Sequence, residues 1–154
     1  MKTIFNRIAF WLATGFGLGY MPVASGTFGS LLGIPIVLAM QPLGWPWQVL
    51  LAATLALLAV PVCGVAERVF QTKDDGRIVA DEWMLLPISF IGLPVLEVWW
   101  MLPVWWISTR VFDILKPPPA NYLQRLHGGL GIVIDDFFAA LYALAANHLI
   151  FYLC

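Results

Sequence analysis

The chain has 154 residues, 61% of them hydrophobic and only 11% charged, and a net charge of −1. Soluble domains carry about 25% charged residues, so a water-facing surface of ordinary composition is excluded, and a charge this near zero supplies no basic field for nucleic acid. Cys63 and Cys154 stand alone in apolar stretches, which excludes a disulfide framework and a cysteine zinc site.

What remains is a small all-α polytopic membrane bundle, one domain over residues 1–154, with short or re-entrant segments. In residues 1–14, Ile4, Phe5, Ile8, Trp11 and Leu12 follow helical spacing, with Thr3, Asn6 and Arg7 elsewhere around the wheel. That pattern predicts a helix lying in the membrane interface. The competing reading is a secretory signal, with Lys2 and Arg7 ahead of an apolar run and Val23-Ala24-Ser25 as its cleavage site; the periodicity favours the interfacial helix. Residues 8–66 contain no Lys, Arg, Asp or Glu. Within them, 28–40 is a short candidate crossing carrying Gly33 and Pro35, and 47–66 is the clearest crossing, despite Pro61. Residues 83–107 are apolar but broken by Pro87, Gly92, Pro94 and Pro103. The last candidate is 131–152, with Asp135 and Asp136 in its first turns.

The eight basic residues fall into three segments: Lys2 and Arg7; Arg68, Lys73 and Arg77; Arg110, Lys116 and Arg125. The positive-inside rule places all three on the cytoplasmic side. Between Arg77 and Arg110 the chain must then enter and return, which predicts a partly inserted, protein-covered hairpin turning near 92–97.

Seven of the nine acidic residues lie in three blocks: Asp74, Asp75, Asp81 and Glu82; Asp113; Asp135 and Asp136. Carboxylates at the edge of apolar segments are costly unless paired, protonated or bound to a cation. Converging from several helix ends, they make a hard-cation site suited to Mg²⁺ and a phosphate substrate. Asp75 reads as a solvated loop residue, and Asp81 as either a helix cap or a ligand. Adjacent helical positions point about 100° apart, so at least one of Asp135 and Asp136 faces the interior or a cation. Asp113 and Lys116 share a helical face before Pro117, either as an ion pair or, with Arg110, as a carboxylate for metal and cations for phosphate. His127 precedes Gly128-Gly129, where backbone amides can approach an anion; His148 reads as structural. In 15–30, "GFGLGYMPVASGTFGS", the glycines permit close backbone approach. The hydroxyls of Thr27 and Ser30 either donate to phosphate oxygens or cap a helix starting near Phe28.

In this order and spacing, "GFGLGYMPVASGTFGS", "DDGRIVADE", "RVFDILKPPP" and "HGGLGIVIDD" resemble the phosphatidylglycerophosphatase A family over most of the chain. Ser25, Leu85, Pro118 and Ala140 depart from the family pattern without removing a carboxylate or a cation. The resemblance implies a Mg²⁺-dependent phosphatase that converts phosphatidylglycerophosphate to phosphatidylglycerol and phosphate at the cytoplasmic face of the bacterial inner membrane, among membrane lipids. It implies metal ligands among Asp74, Asp81, Glu82, Asp113, Asp135 and Asp136. Phosphate binding would fall to Thr27, Ser30, Arg110 and Lys116, and catalysis to Asp81, Glu82, Asp113, Lys116, His127, Asp135 and Asp136. The alternatives are another membrane phospholipid enzyme or a non-enzymatic ion or solute transporter. A CDP-alcohol phosphotransferase needs an aspartate spacing that Asp74-Asp75-Gly76-Arg77 lacks. The sequence leaves the oligomeric state open.

Overall fold

Two helices longer than the hydrocarbon core of a bilayer is thick set the frame. A computed structural model describes residues 4–72, 75–123 and 126–154, and among these every regular element is helical. Helix α1 is Ile4–Ala13, followed by a 3₁₀ segment, Gly15–Tyr20; α2 is Ser25–Leu31, α3 Gly33–Met40 and α4 Trp45–Phe70. Next come α5, Ala80–Leu85, and 3₁₀ turns at Leu86–Phe90 and Trp99–Met101. The chain ends in α6, Leu102–Leu115, α7, Ala120–Leu123, and α8, Gly129–Leu153. At 26 and 25 residues, α4 and α8 extend about 39 and 37 Å, beyond the roughly 30 Å hydrocarbon core. Both are apolar enough to cross a membrane. They bear out the long apolar helices expected at 47–66 and 131–152. Helix α8 starts hard against α4: a Cβ on Gly129 would sit 1.9 Å from the Val60 carbonyl. Gly129 is therefore spent on helix packing.

The expected crossing at 28–40 does not form. The segment divides into α2 and α3 at Leu32, whose N–H bonds back only three residues to Gly29. Pro35 brings no N–H to the Leu31 carbonyl, so the α-helical ladder is interrupted there. Together α2 and α3 reach about 24 Å, short of a crossing. The helix also begins at Ser25, with Ala24 at the cap position and no side-chain cap bond, so Thr27 is not a cap.

Residues 83–107 form the expected hairpin. Its inward arm, α5 and the following 3₁₀ turn, is about 20 Å long, and the chain reverses through 91–98. Main-chain groups at such a depth need partners from the protein, and four polar side chains supply them. Gln48 accepts from the Gly92 N–H at 2.8 Å, and Gln41 from the Val95 N–H at 3.1 Å. Asn147 donates to the Ser89 carbonyl at 3.0 Å, and His148 Nε2 to the Ile91 carbonyl at 2.9 Å. The structural reading of His148 thus has its cause.

On α1, Ala9 and Ala13 are buried, while Ile4, Phe5, Ile8 and Trp11 are exposed and Leu12 turns partly inward. The Trp83 indole donates to the Leu12 carbonyl at 3.3 Å, and the Val79 N–H to the Ala13 carbonyl at 2.8 Å. Helix α1 is thereby an integral part of the fold, with an apolar face left outward. The C-terminal ends of α4 and α6 and the N-terminal ends of α5 and α8 gather at one end of the bundle; the hairpin turn and the α3–α4 turn lie at the other.

Candidate active site

Val79 is non-helical (φ −132°, ψ 9°), and α5 begins at Ala80, which puts Asp81 and Glu82 in its first turn. Asp113 lies near the end of α6, and Asp135 and Asp136 in the second turn of α8. Packing of these three helix ends brings Asp81, Glu82, Asp113 and Asp136 to one place, where all four line two connected spaces. The inner pocket, about 20 Å³, is also lined by Ser30, Leu85, Leu86, Thr109, Ala139 and Ala140. An outer cavity of about 290 Å³ opens past Ser25, Gly76, Ile78, Ile114 and Lys116. Asp81 and Asp136 are each 6% exposed and Asp135 1%, so both members of the α8 pair face inward.

Two cations are interposed. Arg110 pairs with Asp113 one turn along α6 and reaches Glu82 at 3.6 Å. Lys116 pairs with Asp135 and, at 3.1 Å, with Asp136. This corrects the expectation that Asp113 and Lys116 share one helical face. The helix ends at Leu115, and Lys116 takes a left-handed conformation (φ 42°), so its side chain leaves the α6 face and crosses to α8. Burial disfavours the Lys116 ammonium, but the charge of Asp136 and the bond to Asp135, with Asp113 adding to them, outweigh it and hold its pKa above the ordinary lysine value.

The remaining expected residues divide. Ser30 lines the inner pocket, donating to the Thr27 carbonyl at 2.9 Å and accepting from the Trp106 indole at 3.1 Å. Thr27 lies outside the lining of either space, as does His127, which is exposed ahead of α8. Asp74 lies outside the described residues, as do Lys2, Lys73 and Arg125. Asp75 is a loop residue whose carboxyl is held below its usual range by hydrogen bonds from Arg77, at 2.7 Å from Nε. Four of the five glycines of the 15–30 segment, Gly15, Gly19, Gly26 and Gly29, face protein, and Gly17 faces open space. A Cβ on Gly19 would meet the Arg77 carbonyl at 2.1 Å, one on Gly29 the Val79 Cβ at 2.5 Å, and one on Gly26 the Glu82 carboxylate at 1.7 Å. They let α2 lie close behind α5.

Sequence reasoning missed Thr109, Ala139 and Ala140. Helical spacing was the available signal: Thr109 is four residues before Asp113, and Ala139 and Ala140 are three and four after Asp136, hence on the same faces. For a metal, the donor set is all carboxylate oxygen on one cavity, the chemistry that suits Mg²⁺. Among the described residues, no three His, Cys, Asp or Glu side chains already converge on one point as a cation site; Arg110 and Lys116 tie the carboxylates in pairs instead.

Comparison with known proteins gives the family. Over 135 residues the chain is 38% identical to phosphatidylglycerophosphatase A of Haemophilus influenzae, covering 86% of this chain and 82% of that one. It is 35% identical to phosphatidylglycerophosphatase A of Escherichia coli over 129 residues, 83% and 74% of the two chains. A Bacteroides thetaiotaomicron protein named as a candidate phosphatidylinositol-3-phosphatase is 33% identical over 138 residues, 86% of each chain. No solved structure matches. The family model for phosphatidylglycerophosphatase A matches residues 11–151, and with relatives this similar over most of its length the chain belongs to the phosphatidylglycerophosphatase A family.

Proposed function

We propose that this protein is a Mg²⁺-dependent phosphatase that hydrolyses the terminal phosphomonoester of phosphatidylglycerophosphate to phosphatidylglycerol and phosphate, at the cytoplasmic face of the bacterial inner membrane. One observation carries the reading: four carboxylates and two cations from three helix ends line a single opening at one end of two membrane-length helices. A lipid presents its phosphomonoester at that height while its acyl chains stay in the bilayer. Among the described residues every Lys and Arg lies toward this end, whereas Glu97 is the charged side chain at the hairpin turn, so the positive-inside rule favours a cytoplasmic site.

Lys116, on the outer cavity, is placed to bind phosphoryl oxygens, and Arg110, on the inner pocket beside the same carboxylates, to offset charge that builds on them during transfer. Binding there competes with the carboxylates that now hold these cations. Asp81, Glu82, Asp113 and Asp136, with Asp135 behind, would hold the Mg²⁺. When bound, the ion supplies Lewis-acid polarisation of the phosphoryl group. A carboxylate on the same wall takes the proton of the attacking water; we assign no step to His127. The relative named for phosphatidylinositol-3-phosphate chemistry favours one second reading, the same hydrolysis on an inositol lipid.

Phosphate release from both lipids in detergent micelles, with Mg²⁺, then EDTA, then Mg²⁺ restored, tests the proposal. Release from phosphatidylglycerophosphate that stops with EDTA, returns with Mg²⁺ and is lost in Asp136→Asn is expected. Preference for the inositol lipid would move the substrate, and full activity of Asp136→Asn would overturn the site.

A further inference from the structure

The two spaces at the carboxylate wall differ in size in a way that divides the reaction between them. At about 20 Å³ the inner pocket exceeds the roughly 10–15 Å³ that one water requires and is far too small for a phosphoryl group; the outer cavity, about 290 Å³, admits a headgroup. Its walls are also suited to water. Asp81, Asp113 and Asp136 offer acceptors, and Thr109, whose hydroxyl donates to the Trp105 carbonyl at 2.9 Å, keeps lone pairs to accept with. Arg110 lines this pocket and not the outer one, and its buried Nε–H has no acceptor among the described residues. A water there can donate both hydrogens to carboxylates and accept one bond from Arg110, the usual three partners of a buried water.

Resting on the phosphatase reading above, we propose that the inner pocket seats the nucleophilic water, and that it attacks phosphorus from that pocket while the glycerol oxygen departs through the larger outer cavity. The water oxygen forms the new O–P bond and loses a proton to a carboxylate of the shared wall. The bond from phosphorus to the glycerol oxygen breaks, its electron pair stays on that oxygen, and a proton from solvent in the outer cavity completes the alcohol. Products are inorganic phosphate and the lipid alcohol, with inversion at phosphorus.

Ala140→Val fills the inner pocket without removing a charged group. Turnover is expected to fall about 100-fold or more, the scale of a misplaced reactant. Binding of the non-hydrolysable phosphonate analogue of phosphatidylglycerophosphate should stay within about threefold of wild type, because the analogue occupies the outer cavity. If turnover survives, or if phosphonate binding is lost in parallel while the melting temperature holds, the assignment is overturned. Should Ala140→Val not fold, Thr109→Val decides: lower turnover with intact phosphonate binding supports the seat, and unchanged turnover removes it. Independently, the wild-type protein acting on an ester with a stereogenic thiophosphoryl group should invert configuration; retention, the mark of a phosphoenzyme, would overturn the proposal. A wild-type protein that releases no phosphate at all would instead defeat the phosphatase reading itself.

Discussion

Gly26→Ala separates the geometry of the site from the stability of the fold. A Cβ at this position would lie 1.7 Å from Glu82 Oε1 and 2.5 Å from its carboxyl carbon. Ordinary contact begins near 3.4 Å, so the carboxylate must withdraw by roughly 1.7 Å, and misplacement by about 1 Å is enough to cost on the order of 100-fold in rate. The methyl group meets the far end of a flexible side chain, while alanine is favoured over glycine within a helix by about 0.5–1 kcal/mol. Turnover is therefore expected to fall about 100-fold while the melting temperature in the same detergent stays near that of wild type. Phosphate release and thermal unfolding on one preparation check this together. Gly29→Ala is the contrast, because its Cβ meets the Val79 Cβ at 2.5 Å, next to the main chain, and that atom cannot swing away; stability should drop with activity. Gly26→Ala with turnover within about threefold of wild type would refute a requirement for Glu82 at its observed place.

Three other outcomes are expected. Lys116→Met leaves Asp135 and Asp136 buried without their cation and should destabilise the fold by about 3 kcal/mol, with Asp135→Asn added to it restoring part of the loss. Because the Lys116 pKa is raised, its stabilisation is complete below the ordinary value of 10.5 and fades only as pH climbs through the higher folded value; the difference in denaturation midpoint should be flat from about pH 7 to 9, and a difference that shrinks within that window would contradict the pairing. Gln48→Leu removes the acceptor of the Gly92 N–H and a donor to the Leu43 carbonyl at 3.0 Å, which should cost about 1–2 kcal/mol in thermal unfolding; an unchanged midpoint would mean that the hairpin turn is held by other contacts. Cys154 is exposed at the end of α8 and Cys63 is buried, so a membrane-impermeant maleimide should label Cys154 alone, and in intact spheroplasts if the site is cytoplasmic. Labelling only after permeabilisation would reverse the topology.

Composition alone was enough for the class of molecule. With 11% charged residues and none between positions 8 and 66, a chain of this length has no way to cover a water-soluble surface, and the long apolar runs around 47–66 and 131–152 form helices wherever they are placed, because every backbone polar group is satisfied within the segment. The ordered acidic blocks likewise marked Asp81, Glu82, Asp113 and Asp136, since carboxylates beside apolar helices are too costly to be incidental. Periodicity was silent about contacts between segments. That Lys116 turns from its own helix to α8 depends on one left-handed residue at a helix end. Of the glycines of 15–30, open to a phosphate-cradle reading on their own, Gly15, Gly19, Gly26 and Gly29 are accounted for by residues 77–82 lying against them. Tertiary packing also decided that 28–40 stops short of a crossing and that Gln41, Gln48, Asn147 and His148 serve the backbone of the hairpin. Burial makes unpaired polar groups expensive, so partners had to be found across the bundle, and which helix would supply each one is information carried by the packed structure and not by neighbours in the chain.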